Sequence, residues 1–370
     1  MKKVAINTRF LLKNKLEGFG WFTYHTTKLL VERNPDIQFY FLFDRDYSPE
    51  FVFGANVTPV VLFPQARHPL LFRWWFDFSV TRFLKKEKID LFISPDGYLS
   101  LRTEVPQIGV IHDLNFEHYP EDLKLHHSKY LRKYFPKFAN KAKHIITVSE
   151  FSKKDIIDCY KIDSNSISVA YNGVDEKFHP ALQKKDTKAP PYFLFVGSIH
   201  PRKNLKRLLL AFDLFKTQNG TDHQLLVVGD AYFWSDEMKS TLANLRHNAD
   251  VVFKPYASLD ALVDYYQNAE ALLFVSYFEG FGIPIVEAMA CGCPVLVAQN
   301  TACDEIAGDA ALKVDPFSVE DLAKKIAILS CDSALKSKLS EAGIIRAKLF
   351  SWSNTAELIH QNMHQLLLEE

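Results

Sequence analysis

The chain reads as an α/β protein of two domains, each built on a largely parallel sheet. Three observations predict this. Short apolar, strand-like runs alternate with helix-length segments along the whole sequence, the pattern of parallel α/β layers. The 370 residues are more than one hydrophobic core usually serves. A polar, proline-bearing stretch over 179–191 interrupts the alternation near mid-chain and marks a boundary.

In the first half, runs rich in β-branched and aromatic residues predict strands over 4–7, 37–43, 59–63, 89–93, 107–111, 144–148 and 167–169. In the second half they predict strands over 192–196, 224–228, 251–253, 271–275 and 294–297. The domains are accordingly expected over 1–180 and 181–350. Residues 351–370 read as one closing amphipathic helix with Ser351 or Ser353 as its cap.

Charged residues make up 24% of the chain and the formal net charge is zero, which argues against bulk attraction to nucleic acid. Residues 1–180 carry 26 Lys+Arg against 21 Asp+Glu, and 181–370 carry 18 against 23, so the excess positive charge lies in the first half. The five cysteines, Cys159, Cys291, Cys293, Cys303 and Cys331, form no C-x-x-C pair, as expected for a reducing, cytoplasmic compartment. The opening Met1-Lys2-Lys3-Val4 runs straight into a strand without an apolar leader, and no apolar run approaches a membrane span. The expectation is a soluble protein or one bound peripherally to the inner face of a membrane.

The most informative stretch is Glu279-Gly280-Phe281-Gly282-Ile283-Pro284-Ile285-Val286-Glu287, directly after an apolar strand. Pro284 suits the first turn of a helix, so the helix should begin near Ile283, with Glu279 in the loop and Glu287 a turn in. Such a start offers backbone N–H groups and a positive dipole end, and Gly280 and Gly282 let an oxygen-rich ligand come close. Two carboxylates would repel a pyrophosphate but suit neutral hydroxyls on either side of it, as in a nucleotide-sugar. The plain alternative is a first-turn Glu that only complements the dipole, beside an exposed loop Glu.

Three further segments point to chemistry. Arg202 and Lys203 stand between the 192–196 strand and a helix marked by Leu205, Leu208, Leu209 and Phe212, where they could neutralise a diphosphate or simply form a solvated basic turn. His112-Asp113 closes the 107–111 strand, and ligands of doubly wound sheets bind at the carboxyl ends of strands. Glu17-Gly18-Phe19-Gly20 is expected as a glycine loop feeding a helix near Trp21. The segment 67–88 interleaves Phe72, Trp74, Trp75, Phe76, Phe78 and Phe83 with Arg73, Arg82, Lys85 and Lys86. It reads either as core packing or as peripheral contact with an anionic membrane that presents a lipid-linked acceptor.

From Tyr277 to Pro316 the chain resembles the donor-site motif of the retaining glycosyltransferases of family 4, in the flavour of bacterial mannosyltransferases. The resemblance implies the GT-B fold: two facing Rossmann-like domains with a cleft between them, the first binding acceptor and the second the nucleotide-sugar, and a C-terminal helix crossing back. It implies transfer of a hexose, with mannose from GDP-mannose the best match, to a glycan or lipid-linked glycan in cell-surface polysaccharide synthesis. By the same resemblance Lys203 binds phosphate, with Arg202 standing in for an arginine usual at the Ser198 position. Glu279 holds sugar hydroxyls, Glu287 the ribose, and Gly280, Phe281 and Gly282 line the donor. Tyr256 borders the base, Gly20 faces the donor, and His112 lies beside the transferred sugar. The nucleotide-sugar is a substrate and no cofactor is implied. No metal is expected either, since the one Asp-x-Asp spacing, Asp44-Arg45-Asp46, lies after a first-domain strand. A nucleotide-sugar epimerase and a non-catalytic binding module share this geometry and remain open at this point.

Overall fold

The computed structural model describes residues 1–66, 68–182, 189–230, 234–255 and 257–369. Two compact units emerge: Met1–Asn172 with Ser351–Glu370, and Gly173–Phe350. The break thus falls after Asn172 rather than after residue 180. Gly173 onward joins the second unit, where the backbone carbonyl of His179 accepts from Gln267 Nε2 at 2.7 Å.

In the first unit the strands are β1 (Lys3–Asn7), β2 (Gln38–Phe43), β3 (Val57–Val61), β4 (Leu91–Ser94), β5 (Gln107–Val110), β6 (His144–Thr147) and β7 (Ile167–Val169). They form a seven-stranded sheet in the order β3-β2-β1-β4-β5-β6-β7, every pairing parallel. Strands of such a sheet are covered on both faces and read as unbroken apolar runs. The four residues of β4, for instance, are all buried. The second unit holds β8 (Tyr192–Val196), β9 (Gln224–Val228), β10 (Val251–Lys254), β11 (Ala271–Phe274), β12 (Val295–Ala298) and β13 (Leu312–Val314). Their order is β10-β9-β8-β11-β12-β13, again all parallel. Each twelve-strand expectation from sequence meets a strand here, while β13 is additional.

In both sheets the winding reverses once, between β1 and β4 and between β8 and β11. Loops leaving the carboxyl ends of those strand pairs diverge and open a crevice. Trp75, Phe76, Phe92, Tyr98 and Phe135 belong to the aromatic core of the first unit. Phe193, Phe195, Phe212 and Phe215 belong to the core of the second unit.

The C-terminal helix Trp352–Leu368 belongs to the first unit, with Ser351 Oγ accepting from the Ser353 amide at 3.2 Å as its cap. It buries Trp352, Ala356, Ile359, Met363 and Leu367, a single helical stripe, and lies along the helix Gly18–Arg33. His25 stacks on Trp352 at 4.7 Å, and Arg33 meets Glu357 at 2.9 Å. At the end of the first helix the Asn34 amide donates to Leu30 O at 2.8 Å and to His360 Nδ1 at 3.2 Å, while its oxygen accepts from His364 Nε2 at 2.7 Å. The Leu30 carbonyl fixes the orientation of the amide, so His360 must offer a lone pair at Nδ1. Burial, then the neighbouring His364, pushes the His360 imidazole below its ordinary value. The folded state therefore binds its proton less readily than the unfolded chain, and this contribution to stability is lost as pH falls below about 6.5. Protection factors against hydrogen exchange in helix Trp352–Leu368, with the base-catalysed intrinsic rate divided out, are expected to be smaller at about pH 5.5 than at about pH 7.5, and His360→Gln to remove most of that difference. Equal protection factors at the two pH values in the unmodified protein would overturn this account.

Candidate active site

The site in the second unit is built where β8 and β11 end side by side. After β8 the chain makes a short 3-10 turn, Pro201–Lys203, and Asn204 adopts a left-handed conformation before helix Leu205–Asn219 begins. Asn204 is buried because its amide donates to Val275 O at 3.1 Å and to Pro316 O at 2.6 Å, pinning three loops together. The Tyr277 amide donates to Arg202 O at 3.0 Å and ties the loop after β11 to the turn after β8.

These ties bring Glu279, Arg202 and Lys203 together. Lys203 Nζ lies 2.6 Å from Glu279 Oε1 and Arg202 Nη1 2.9 Å from Oε2, with the Glu279 side chain only 7% exposed. Burial alone would raise the carboxyl's pKa, but the charges of Arg202 and Lys203, with hydrogen bonds from Lys203 and Ser276, outweigh it and hold Glu279 below its ordinary value. Lys203 also sits 4.7 Å over the Phe274 ring. Two cations against one carboxylate leave one positive charge in excess. Sequence reading had aimed Glu279 at a ligand hydroxyl; here its carboxylate is engaged by the two cations.

The helix expected near Ile283 runs Ile283–Ala290 with Pro284 in its first turn. Gly282 precedes it at φ 95°, where a Cβ would lie 2.8 Å from Ile285 Cδ1, so glycine is required. Phe281 is buried, its ring edge-on to Phe350 at 5.6 Å. Any contact it makes with a ligand must therefore come from its backbone. Glu287 accepts a hydrogen bond from Tyr266 OH at 2.9 Å. Burial raises the Glu287 carboxyl to about 7 against the lowering effect of Tyr266, and the charge of Asp175 adds to the rise. Neither Tyr266 nor Asp175 was singled out from sequence, since only the folded packing brings them to Glu287. Gly280 is buried in the same loop. Tyr256 lies outside the described residues.

In the first unit His112 follows β5. Its Nε2–H donates to Pro95 O at 2.8 Å, and burial pushes the imidazole below its ordinary value, so the ring is neutral near pH 7 with its lone pair on Nδ1. Phe19 and Phe22 pack on it in edge contacts at 4.6 and 4.9 Å. Pro95 begins the turn after β4, which is clamped by a pair absent from the sequence reading: Arg9 Nε meets Asp96 Oδ2 at 2.6 Å, both side chains almost fully buried. Arg9 lies two residues beyond β1, at the reversal of winding, and that placement was its only available signal. Gly20 sits within the first turn of helix Gly18–Arg33, not in a loop before it. Its missing Cβ makes room for Phe10 O and Leu16 Cδ2, each 3.0 Å from where that atom would be.

Two further segments of the first unit can be placed. Segment 67–88, apart from Arg67, which lies outside the described residues, divides by face: Phe72, Trp75, Phe76 and Val80 are buried, whereas Leu71, Trp74 and Phe78 are exposed. Asp44 of the Asp-x-Asp spacing is engaged by Arg45 at 2.6 Å and by the Ala66 amide at 2.9 Å.

Two Rossmann-like sheets of this strand order are the architecture of the GT-B fold. The sequence profile described as "Glycosyl transferases group 1" matches residues 175–346, and that described as "Glycosyltransferase Family 4" matches 17–178. The chain belongs to this group 1, family 4 class of glycosyltransferases. O-antigen chain mannosyltransferase B of Escherichia coli is 28% identical over 293 residues, spanning 77% of this chain and 76% of that protein. O-antigen chain mannosyltransferase RfbU of Salmonella typhimurium is 32% identical over 210 residues, 57% of each chain. Among solved structures, sucrose-phosphate synthase of Thermosynechococcus elongatus aligns over the whole of both chains with a TM-score of 0.81 at 18% identity. WaaG, a glycosyltransferase involved in lipopolysaccharide biosynthesis, aligns with a TM-score of 0.76 at 15% identity, covering 96% of this chain and 98% of its own. At such identities the structural likeness speaks for the fold alone. Class membership sets the chain among transferases rather than among the isomerases or silent binding modules that share the geometry.

The Glu287 carboxyl, ordinarily near 4.5, keeps its proton to about 7 in the folded chain. The folded state binds more protons than the unfolded one across that window, so stability falls as pH rises from about 4.5 to about 7, by up to about 3 kcal/mol. Denaturant unfolding of Glu287→Gln should lose that slope; an unaltered slope would show that Glu287 is not its source.

Proposed function

We propose that this chain is a retaining glycosyltransferase that moves mannose from GDP-mannose onto a glycan or lipid-linked glycan during cell-surface polysaccharide synthesis. The observation that carries the reading is the buried Arg202–Lys203–Glu279 cluster, which gathers two cations where the second sheet reverses its winding. The choice of mannose leans on the relatives named as mannosyltransferases.

Transfer builds positive charge on the sugar ring and negative charge on the departing diphosphate. Arg202 and Lys203 serve the diphosphate, exchanging part of their pairing with Glu279 for phosphate oxygens. That exchange releases the Glu279 carboxylate towards hydroxyls of the sugar. Glu287 accepts from the ribose hydroxyls, and the backbone at Gly280, Phe281 and Gly282 lines the donor. Neutral His112 offers the Nδ1 lone pair and ring dipole to the transferred sugar, with Gly20 facing the donor. No residue is assigned as a nucleophile. The leaving phosphate takes the acceptor proton on the face it departs from, which retains the anomeric configuration. Charge neutralisation by Arg202 and Lys203 makes the reaction metal-independent, so chelation should leave its rate unchanged.

The acceptor reading includes peripheral contact with the inner face of a membrane through segment 67–88. Exposed Trp74 and Phe78 stack at 5.0 Å. Arg73 joins this face to the helix Leu125–Lys141 by donating to Tyr134 OH at 3.0 Å, and exposed Lys129, Lys133 and Lys137 recur there at helical spacing. Aromatic rings flanked by a basic ridge suit an anionic lipid surface. Among the described residues no helix is long and apolar enough to cross a membrane.

Thermal shift with GDP-, UDP- and ADP-sugars tests the donor. GDP-mannose is expected to raise the melting temperature, and Glu287→Ala to abolish the shift; no response to any sugar nucleotide would remove the donor assignment. Lys203→Ala is expected to lower kcat by at least about a hundredfold, the scale of losing one charge-stabilising group in a transition state, whereas near-normal turnover would leave the diphosphate to Arg202 alone. Sedimentation with anionic vesicles should fall for the double variant Trp74→Ser, Phe78→Ser without a change in melting temperature, and undiminished binding would rule this face out.

A further inference from the structure

A second constellation of ligating groups lies in the first unit among residues with no part in the proposed transfer. His118 closes the short helix Asn115–His118 after β5, and Asp155 and Cys159 stand one turn apart on helix Glu150–Tyr160, so they share a face. One donor atom from each of the three falls within 4.8 Å of the others. His118 Nε2 is 2.7 Å from Asp155 Oδ1, and the Cys159 thiol donates to the same oxygen at 3.5 Å. The second carboxylate oxygen, Asp155 Oδ2, is buried without a hydrogen-bond partner among the described residues. A buried oxygen in that state calls for an explanation.

We propose that His118, Asp155 and Cys159 form a binding site for a zinc-class divalent cation, with water completing a tetrahedral shell. The mixture of imidazole, carboxylate and thiolate suits a borderline-soft ion, whereas calcium and magnesium take oxygen ligands. Tetrahedral zinc separates its ligand atoms by about 3.4–3.6 Å. The sulfur–oxygen distance of 3.5 Å already matches this. The His118–Asp155 contact opens by less than about 1 Å, and ligation gives the carboxylate a further partner. Access is open from the rim, because the His118 side chain is 40% exposed while Asp155, at 12%, forms the base. Glu117 stays outside the set, held by Arg132 at 3.2 Å and by Tyr160 OH at 2.9 Å.

Binding must displace the thiol proton, since burial and Asp155 push the Cys159 thiol up to about 11. Calorimetric titration of the full chain with zinc alone, in buffers of differing ionisation heat, should give one site and about one proton released per metal ion. Cys159→Ser and His118→Ala should each weaken binding by more than the roughly tenfold that loss of an outer-shell partner costs. Cys331→Ser, at the other exposed cysteine, should leave it unchanged. Cobalt in place of zinc should show a thiolate-to-metal charge-transfer band that Cys159→Ser removes. Should a variant misfold, alkylation of Cys159 in the folded, unmodified protein is expected to block binding. Absence of one-to-one binding, or binding that survives both loss of His118 and alkylation of Cys159, overturns the site.

Discussion

All-parallel strand pairing is the constraint from which the rest of this molecule follows. Parallel strands leave by the same edge of a sheet and must return through crossover helices, so both faces are covered and loops gather at one edge. Where the winding reverses, neighbouring loops part and a crevice opens without any side chain having to hold it. Both sheets here do this once, and each reversal carries a buried ion group: Arg9 with Asp96 after β1 and β4, and Arg202 and Lys203 with Glu279 after β8 and β11. Charge buried there needs partners, and the diverging loops supply them from both sides.

The two ion groups differ in a way that fits different duties. Arg9 and Asp96 balance each other, and four aromatic rings surround the guanidinium, Tyr98 nearest at 4.6 Å. Such a closed pair has nothing left to offer a ligand and acts by holding the Ser94–Tyr98 turn, whose Pro95 carbonyl fixes His112. The second group is unbalanced and more open, with Arg202 still 24% exposed. On the proposed function, a diphosphate would compete there for cations that the fold already holds in place, which limits the reorganisation required on binding.

Much of this fold was legible because parallel strands leave continuous apolar runs and helices leave Gly, Pro and Ser at their starts. Gly282 and Pro284 marked a helix start to the residue. β13 was missed because Leu312-Lys313-Val314 is a three-residue edge strand with a charged middle. Of the site, the residues were readable but their mutual pairing was not. Nothing in Glu279-Gly280-Phe281 tells that the carboxylate closes on Arg202 and Lys203, whose approach depends on Asn204 and on the Tyr277 amide. Segment 67–88 hid its division in the same manner. Adjacent Trp74 and Trp75 face opposite ways, and with a π-type turn over Trp75–Val80 the usual helical spacing no longer assigns faces.

The first unit is discontinuous in the chain, since Met1–Asn172 is completed only by Ser351–Glu370. During synthesis the face of helix Gly18–Arg33 that packs on helix Trp352–Leu368, where Phe22 and His25 meet Trp352, must wait, uncovered, while the second unit is translated. At about 5–20 residues per second that interval is roughly 10–35 s. The second unit, continuous over Gly173–Phe350, can finish folding first. The second unit can thus be complete before the first, the reverse of the order in which their synthesis begins, and the waiting surface is one that a chaperone would have reason to shield.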